Sequence, residues 1–258
     1  MVTRDTPWPE GTPAWVDVTA DDVPAAIDFY RGLFGWDIES GAPETGGYSI
    51  CHKNGLIVAG LSPKFGPDPM PSVWTTYLAV DDTDAVAAKI RAAGGQLVVE
   101  PVDIIDSGRM ALATDTAGAL FGLWEGRTTS GIGLANETGS LSWNEHMSAD
   151  FDASKAFYRA VFGYEYQDVS EGSFRYAMLM VDGREVGGIG QQAEEAPPGW
   201  QTYFAVDDTD AAVTAVTELG GTVVRPIRDS PYGRIGVVAD NQGAVFSVIS
   251  TPAPSTLR

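Results

Sequence analysis

Histidine and cysteine are scarce in this chain. Its 258 residues include one cysteine, Cys51, and two histidines, His52 and His146. A lone cysteine cannot form an internal disulfide, which favours a reducing environment, and its place in a strand-like segment favours packing over nucleophilic chemistry. Two histidines cannot supply a repeated pair of histidine-rich metal sites. An iron site of two histidines and one carboxylate would require both side chains to meet.

Basic residues and long apolar segments are also few. Sixteen Lys and Arg stand against 35 Asp and Glu, which gives a formal net charge of −19. This charge repels phosphate backbones and anionic lipid surfaces, so we expect neither a nucleic acid partner nor a membrane partner. No apolar segment is long enough to span a bilayer, and residues 1–13 lack the pattern of a signal peptide. A cytoplasmic protein is the resulting expectation.

What the chain does contain is an internal repeat. The twelve residues 74–85 return as residues 200–211 with ten identical positions. Residues 29–36 likewise return as residues 157–164. Similarity at a near-constant period is typical of a duplicated module. We therefore predict module 1 at residues 11–126 and module 2 at residues 139–251, joined by a polar, glycine-rich linker at residues 127–138.

Strand and helix patterns alternate within each module. Residues 14–19 alternate as a strand, and either Asp21 or Asp22 can cap the helix that follows. Asn54-Gly55 and Asp182-Gly183 are hairpin signals between strand-like segments. The pattern then starts again halfway along the module. The predicted fold class is α+β, with each module built as βαβββαβββ from two βαβββ units.

Three motifs stand out in module 1. They are Phe29-Tyr30 followed by Phe34-Gly35-Trp36, Val80-Asp81-Asp82 at the second helix, and Asp115-Thr116-Ala117-Gly118 before the last strand. Together they resemble the vicinal oxygen chelate superfamily of glyoxalases, bleomycin-resistance proteins and extradiol dioxygenases. The two-module form is similar to the tandem glyoxalase-like proteins of actinobacteria. The resemblance implies paired βαβββ units whose curved sheets form cups around a small ligand.

The same resemblance implies where a metal ion would be held. Enzymes of the superfamily usually hold it with His or Gln in a first strand and Glu in a last strand. Here those positions are Trp15 and Trp143 in the first strands, and Gly122 and Ser247 in the last strands. An indole nitrogen only donates hydrogen bonds and cannot ligate a metal. We therefore expect no metal and no other cofactor.

Two carboxylates follow these tryptophans at strand spacing. Asp17 and Glu145 lie two residues beyond Trp15 and Trp143, so they share the face that we expect to line each cup. A carboxyl beside indole in a partly dry pocket can have a raised pKa and act as a general acid or base. Alternatively, each carboxylate pairs with an arginine, such as Arg109 or Arg234, to stabilise the sheet or to seat a ligand.

Further candidates for ligand binding surround these positions. Arg109 and Arg234 each follow a glycine before the closing hairpin, where a planar guanidinium could clamp a ligand carboxylate or carbonyl. Trp124 adds an aromatic wall suited to a flat ligand. The complete set of predicted ligand contacts is Trp15, Trp143, Arg109, Arg234, Trp124 and Ser247.

Three functions are compatible with this pattern. The leading hypothesis is metal-independent binding of a hydrophobic or aromatic small molecule, in antibiotic resistance by sequestration or in natural-product metabolism. The alternative is an enzyme, either a glyoxalase-type lyase or an acid-base isomerase or cyclase that uses Asp17 and Glu145. A third hypothesis is a protein-interaction scaffold whose cups are filled by its own side chains. We expect a monomer or a homodimer.

Overall fold

Module 1 is organised around one eight-stranded sheet. The computed structural model describes residues 2–64, 71–192 and 199–251 of the chain. The strand order is β3-β4-β5-β2-β6-β9-β8-β7, so the first strands of the two βαβββ units, β2 and β6, are neighbours at the centre. The strands are β2 (Pro13–Ala20), β3 (Asp37–Ile38), β4 (Ser49–Lys53), β5 (Leu56–Pro63), β6 (Trp74–Ala79), β7 (Gln96–Ile104), β8 (Gly108–Thr114) and β9 (Leu120–Gly126).

Module 2 repeats this order as β12-β13-β14-β11-β15-β18-β17-β16. The predicted linker contributes β10 (Leu134–Ala135), which pairs with β11 and with the first strand of the chain, β1 (Val2–Thr3). Part of the linker is therefore built into the sheet of module 2. The remaining strands are β11 (Leu141–Ser148), β12 (Glu165–Asp168), β13 (Tyr176–Val181), β14 (Arg184–Gln191), β15 (Gly199–Ala205), β16 (Thr222–Ser230), β17 (Gly233–Ala239) and β18 (Val245–Ser250).

Each βαβββ unit contributes one helix with an aspartate cap. In all four, the aspartate before the helix accepts a hydrogen bond from a backbone N–H three residues later, which satisfies a donor that the first turn leaves open. None of the described helices is long and apolar enough to cross a membrane. The helices are α1 (Val23–Phe34), α2 (Thr83–Ala92), α3 (Phe151–Phe162) and α4 (Thr209–Glu218).

These elements confirm the predicted α+β class. The helix cap is Asp22 rather than Asp21. Asn54-Gly55 and Asp182-Gly183 join strands with φ positive at all four residues, as a type I′ hairpin turn requires.

The helices pack across the two modules. Helix α1 contacts α4, and α2 contacts α3. Accordingly, Phe34 of module 1 packs on Phe204 of module 2, and Phe121 of module 1 packs on Phe157 of module 2. Each large apolar core therefore joins the first half of one module to the second half of the other, so the two modules stabilise one another.

The two cores differ in one buried polar contact. In the first, the Tyr30 hydroxyl donates to Asp240 Oδ2 at 2.7 Å. In the second, Asp115 Oδ2 lies 2.9 Å from His146 Nε2, and both side chains are fully buried. Among the described residues, neither Nδ1 nor Nε2 of His146 makes a hydrogen bond of regular geometry, so its contact with Asp115 is a close approach of the two groups. His146 contacts Tyr158 on α3, so it faces the helices and not the cup.

Candidate functional site

The concave face of module 1 carries a hydrogen-bonded chain that ends on a carboxylate. Trp15 Nε1 donates to the hydroxyl of Tyr48 at 2.9 Å. The hydroxyls of Tyr48 and Tyr77 then both donate to Asp17 Oδ2 at 3.0 Å. Trp15 and Asp17 share this face because they are two residues apart on β2. We name these four residues, together with Trp124, cup 1.

Glycines make room for the two tyrosines. A Cβ atom on Gly60 would lie 1.9 Å from the Tyr48 hydroxyl, and one on Gly122 would lie 1.9 Å from the ring of Tyr77. Gly122 is the position at which the family resemblance implies a metal-binding Glu. The ring of Tyr77 occupies the space that such a side chain would need.

Burial sets the acidity of Asp17. Loss of contact with water raises the pKa of this carboxyl to about 7, although the hydrogen bonds from Tyr48 and Tyr77 act in the opposite direction. Both protonation states are therefore populated near neutral pH. A carboxyl in this condition can accept or donate a proton.

Module 2 contains the same chain of groups. Trp143 Nε1 donates to the Tyr176 hydroxyl at 3.1 Å. Tyr176 donates to Glu145 Oε2 at 2.7 Å, and Tyr203 donates to Glu145 Oε1 at 2.5 Å. Each carboxylate oxygen thus receives one phenol hydrogen bond. We name these four residues, together with Ile249, cup 2.

The two cups differ in how far they are open. Trp124 stacks on Trp15 with ring centroids 6.0 Å apart, and Trp15 is only 5% exposed. In cup 2 the residue at the place of Trp124 is Ile249, and Trp143 and Glu145 are both partly exposed. Cup 1 is therefore closed by its own side chains, as the scaffold hypothesis predicted for both cups, whereas Trp143 and Glu145 of cup 2 stay partly exposed.

The wall of cup 2 is mostly apolar. Ile235 and Ile249 pack with Tyr203, and Trp143 and Val237 pack against this cluster. The predicted ligand contact Ser247 pairs with Tyr203 across β18 and β15 and is buried beside it. Cup 2 thus brings together the predicted site residues Trp143, Glu145 and Ser247, and cup 1 brings together Trp15, Asp17 and Trp124.

The two predicted arginine clamps lie elsewhere. Arg109 Nε is 2.9 Å from Asp84, and Arg234 Nη1 is 2.9 Å from Asp229. Arg234 also pairs with Asp210 on α4, just as Arg109 pairs with Asp84 on α2. Strand alternation therefore points both guanidinium groups toward the helices, on the side of the sheet opposite to the cups. The structure contradicts a clamp role for them inside a cup, and likewise the alternative that they pair with Asp17 or Glu145.

The donors in the cups do not fit a divalent metal ion. Each cup offers one carboxylate, already bound by two phenol hydroxyls, and Trp15, Gly122, Trp143 and Ser247 stand where the resemblance implies ligands. Within residues 2–64, 71–192 and 199–251, no three His, Cys, Asp or Glu side chains are grouped to hold a metal. Stable sites for such ions normally use three or more protein ligands.

The sequence analysis missed the four tyrosines. Their signal was present in the repeat, because Tyr48 and Tyr176 are 128 residues apart and Tyr77 and Tyr203 are 126 apart, which are the offsets of the elements around them. A polar aromatic residue that occurs at the same place in both modules is a signal of a shared structural or binding role.

Comparison with protein families supports the repeat and the fold. Residues 12–123 match the model of the Glyoxalase/Bleomycin resistance protein/Dioxygenase superfamily, and residues 145–249 match that of the Glyoxalase-like domain. Among solved structures, a Mn(II)-bound glyoxalase from Novosphingobium aromaticivorans aligns with a TM-score of 0.65 at 18% identity, covering 94% of this chain and 83% of that one. At such low identity this likeness concerns the fold alone.

Curated relatives align over nearly the whole chain. The protein named "Putative glyoxylase CFP32" of Mycobacterium tuberculosis is 42% identical over 253 residues, covering 95% of this chain and 96% of that protein. "Anthracycline biosynthesis protein DnrV" of Streptomyces peucetius is 34% identical over 255 residues, with 93% of each chain covered.

Proposed function

Because the chain belongs to the Glyoxalase/Bleomycin resistance protein/Dioxygenase superfamily, we propose that it binds a flat hydrophobic or aromatic small molecule in cup 2 without a divalent metal ion. One observation carries this proposal. Trp143 and Glu145 are partly exposed on a concave face whose wall is mostly apolar. Ligand sites typically combine such an apolar wall with a few fixed polar groups.

The hydrogen bonds of cup 2 prepare it for a ligand. Tyr176 and Tyr203 hold both oxygens of Glu145, and Tyr176 also accepts a bond from the indole of Trp143. Both ligand-facing groups are therefore ordered before binding, which lowers the entropy cost of association. A flat ring can stack on Trp143, while a hydroxyl or N–H of the ligand donates to Glu145.

Metal-independent binding follows from the donor set. Because Trp143 and Ser247 stand at the positions where the family resemblance implies metal ligands, recognition in cup 2 depends on stacking, apolar burial and hydrogen bonds to Glu145. The anthracycline biosynthesis relative from Streptomyces peucetius supports a use in natural-product metabolism. Sequestration of an antibiotic would rely on the same binding step.

An acid-base enzyme is the second candidate. The observation in its favour is the pKa of about 7 at Asp17, which suits proton transfer at neutral pH. A substrate would reach Asp17 only if Trp15 and Trp124 separated, because their stacked rings close cup 1. Glu145 is open to a substrate without such movement. The second enzymatic possibility is a glyoxalase-type lyase, which the name of the mycobacterial relative favours.

A binding and recovery experiment separates these functions. Protein dialysed against EDTA is titrated with a panel of flat polycyclic aromatic compounds, and binding is followed by tryptophan fluorescence. Each compound is then recovered, and its mass is measured by mass spectrometry to detect chemical change. We expect binding that Trp143→Ala and Glu145→Gln weaken by about tenfold or more. The matched cup 1 variant Asp17→Asn should bind as the unchanged protein does.

Three outcomes would count against the proposal. Binding of no compound, or binding only after a metal is added, contradicts it directly. A chemically altered product whose formation is lost in Asp17→Asn or Glu145→Gln would establish the enzymatic alternative.

A further inference from the structure

Two arginines face cup 2 from the edge strand β16. Arg228 pairs with Ile235 of β17, and Arg225 pairs with Val237. Ile235 and Val237 belong to the apolar wall of cup 2. Directly paired residues of antiparallel strands point to the same side of a sheet, so the side chains of Arg225 and Arg228 leave β16 on the concave side.

Two further observations agree with this orientation. The next residue, Asp229, pairs with Arg234 and forms an ion pair with it on the helix side, so Arg228 points the other way. The pKa of the Tyr203 hydroxyl is raised by burial and then by the charge of Glu145, and the positive charge of Arg228 opposes that rise. Arg228 is thus close enough for its charge to affect the Tyr203 hydroxyl in cup 2.

Module 1 has no arginine at these places. In the equivalent pairing of β7 with β8, Val99 lies opposite Leu112 and Val102 lies opposite Met110. The register of the two hairpins is the same, and only the side chains differ. The fold therefore does not require arginine here, and the two cations occur in the cup that is open.

The charge of the whole chain makes this pair notable. Acidic residues outnumber basic ones 35 to 16, yet Arg225 and Arg228 are exposed and form no ion pair with any acidic residue among those described. An edge strand often carries charge to block pairing with other sheets. The equivalent edge strand of module 1, β7, carries the negative residues Glu100 and Asp103 instead. Protection of the sheet edge therefore does not explain why β16 carries arginine.

Building on the proposed function, we propose that cup 2 selects aromatic ligands that carry a carboxylate, which Arg225 and Arg228 bind at its rim. The planar guanidinium group can bind a carboxylate through two parallel hydrogen bonds. Glu145 repels the negative end of such a ligand, while the arginines attract it. Together they orient the ring across Trp143, with its carboxylate toward β16 and its polar hydrogen toward Glu145.

The test uses two probes that differ only in charge. The EDTA-dialysed full chain is titrated by calorimetry with 2-naphthoate and with 2-naphthamide, which have the same ring and nearly the same shape. We compare the unchanged protein with the double variant Arg225→Gln/Arg228→Gln. The matched control is Arg91→Gln, which removes an exposed arginine of α2 that pairs with Glu100 in module 1.

We expect the unchanged protein and Arg91→Gln to bind 2-naphthoate about tenfold more tightly than 2-naphthamide. The double variant should bind both probes equally, with the affinity for 2-naphthamide unchanged. Equal binding of the two probes by the unchanged protein would overturn this inference and leave the proposed function standing. A preference for 2-naphthoate that survives in the double variant would do the same. If neither probe binds to the unchanged protein, the inference and the proposed function are both contradicted.

Discussion

Trp124 lies against Trp15 with an angle of 25° between the two ring planes. This contact closes cup 1. The repeat provides the natural comparison, because Ile249 stands at the same place in cup 2 and leaves Trp143 partly exposed. The residue at this position thus differs between the closed cup and the open one.

Exchanging these two residues should exchange the states of the cups. Ile249→Trp places an indole over Trp143, and space for it exists because Gly233 corresponds to Gly108, whose missing side chain accommodates Trp124. We expect aromatic probes to bind this variant at least about tenfold more weakly. Unfolding in urea should change by no more than about 2 kcal/mol.

The reciprocal variant Trp124→Ile serves as the control, since it alters only the closed cup. Probe binding to cup 2 should persist in it. Unchanged binding in Ile249→Trp would show that the ligand does not lie on Trp143.

Asp17 should make the stability of the protein depend on pH. Burial raises its folded-state pKa to about 7 from 3.8, so the folded protein holds this proton more tightly than the unfolded chain. The contribution is fully present below the unfolded-state pKa and is lost as the pH rises through 7. Between pH 5 and pH 8 the loss is about 3 kcal/mol.

Asp17→Asn removes this titration. Urea unfolding at pH 5 and pH 8 should therefore show that the variant gains stability relative to the unchanged protein as the pH rises. The control is Asp28→Asn, at an exposed position of α1, and its stability should change with pH as that of the unchanged protein does. If Asp17→Asn also followed it, Asp17 would not be protonated at pH 5 in the folded state.

Local patterns in the sequence were enough to predict the repeat and most of the elements. Alternation identified β2, and Asn54-Gly55 identified the hairpin, because both depend on residues close together in the chain. The packing of α1 on α4 could not be predicted in this way. It depends on contacts such as Phe34 with Phe204, which are distant in sequence and have no local signal.

The site was predicted in part for a similar reason. Strand phase correctly placed Asp17 beside Trp15 and Glu145 beside Trp143 on one face. It could not show that Trp124 closes one cup while Ile249 leaves the other open, since closure depends on packing across the sheet. The arginines were assigned to the wrong face because the phase of β8 and β17 relative to the cup was not considered.

The contact between His146 and Asp115 should stabilise the boundary between the modules. Burial alone would raise the pKa of Asp115, but His146 and the backbone N–H groups of Ala117 and Ala119 lower it below its usual value. His146→Val, which copies Val18 of module 1, leaves that carboxylate without the imidazole that contacts it. We expect a loss of about 2 kcal/mol in urea unfolding at pH 7, because a buried polar group then lacks its partner.

Adding Asp115→Asn to His146→Val tests the cause of that loss. The double variant should recover part of the stability, since an uncharged amide then replaces the buried carboxylate that lost its partner. A double variant that is less stable by the full sum of the two single changes would show that the contact between His146 and Asp115 is not the relevant interaction.

Metal retention should be low. After exposure to nickel, zinc, iron and manganese followed by dialysis, elemental mass spectrometry should find well below one ion per chain, because each cup offers a single carboxylate that already accepts two phenol hydrogen bonds. One ion retained per chain would contradict the donor assignment and favour a lyase or dioxygenase.

The most direct test of the account is the ¹⁹F NMR spectrum of the chain labelled with 5-fluorotryptophan, recorded after EDTA dialysis and during titration with 2-naphthoate. The signal of Trp143, assigned by its loss in Trp143→Phe, should shift with saturation while those of Trp15 and Trp124 stay in place. A spectrum in which Trp143 does not respond, or in which Trp15 and Trp124 shift instead, would contradict metal-free binding of an aromatic ligand in cup 2.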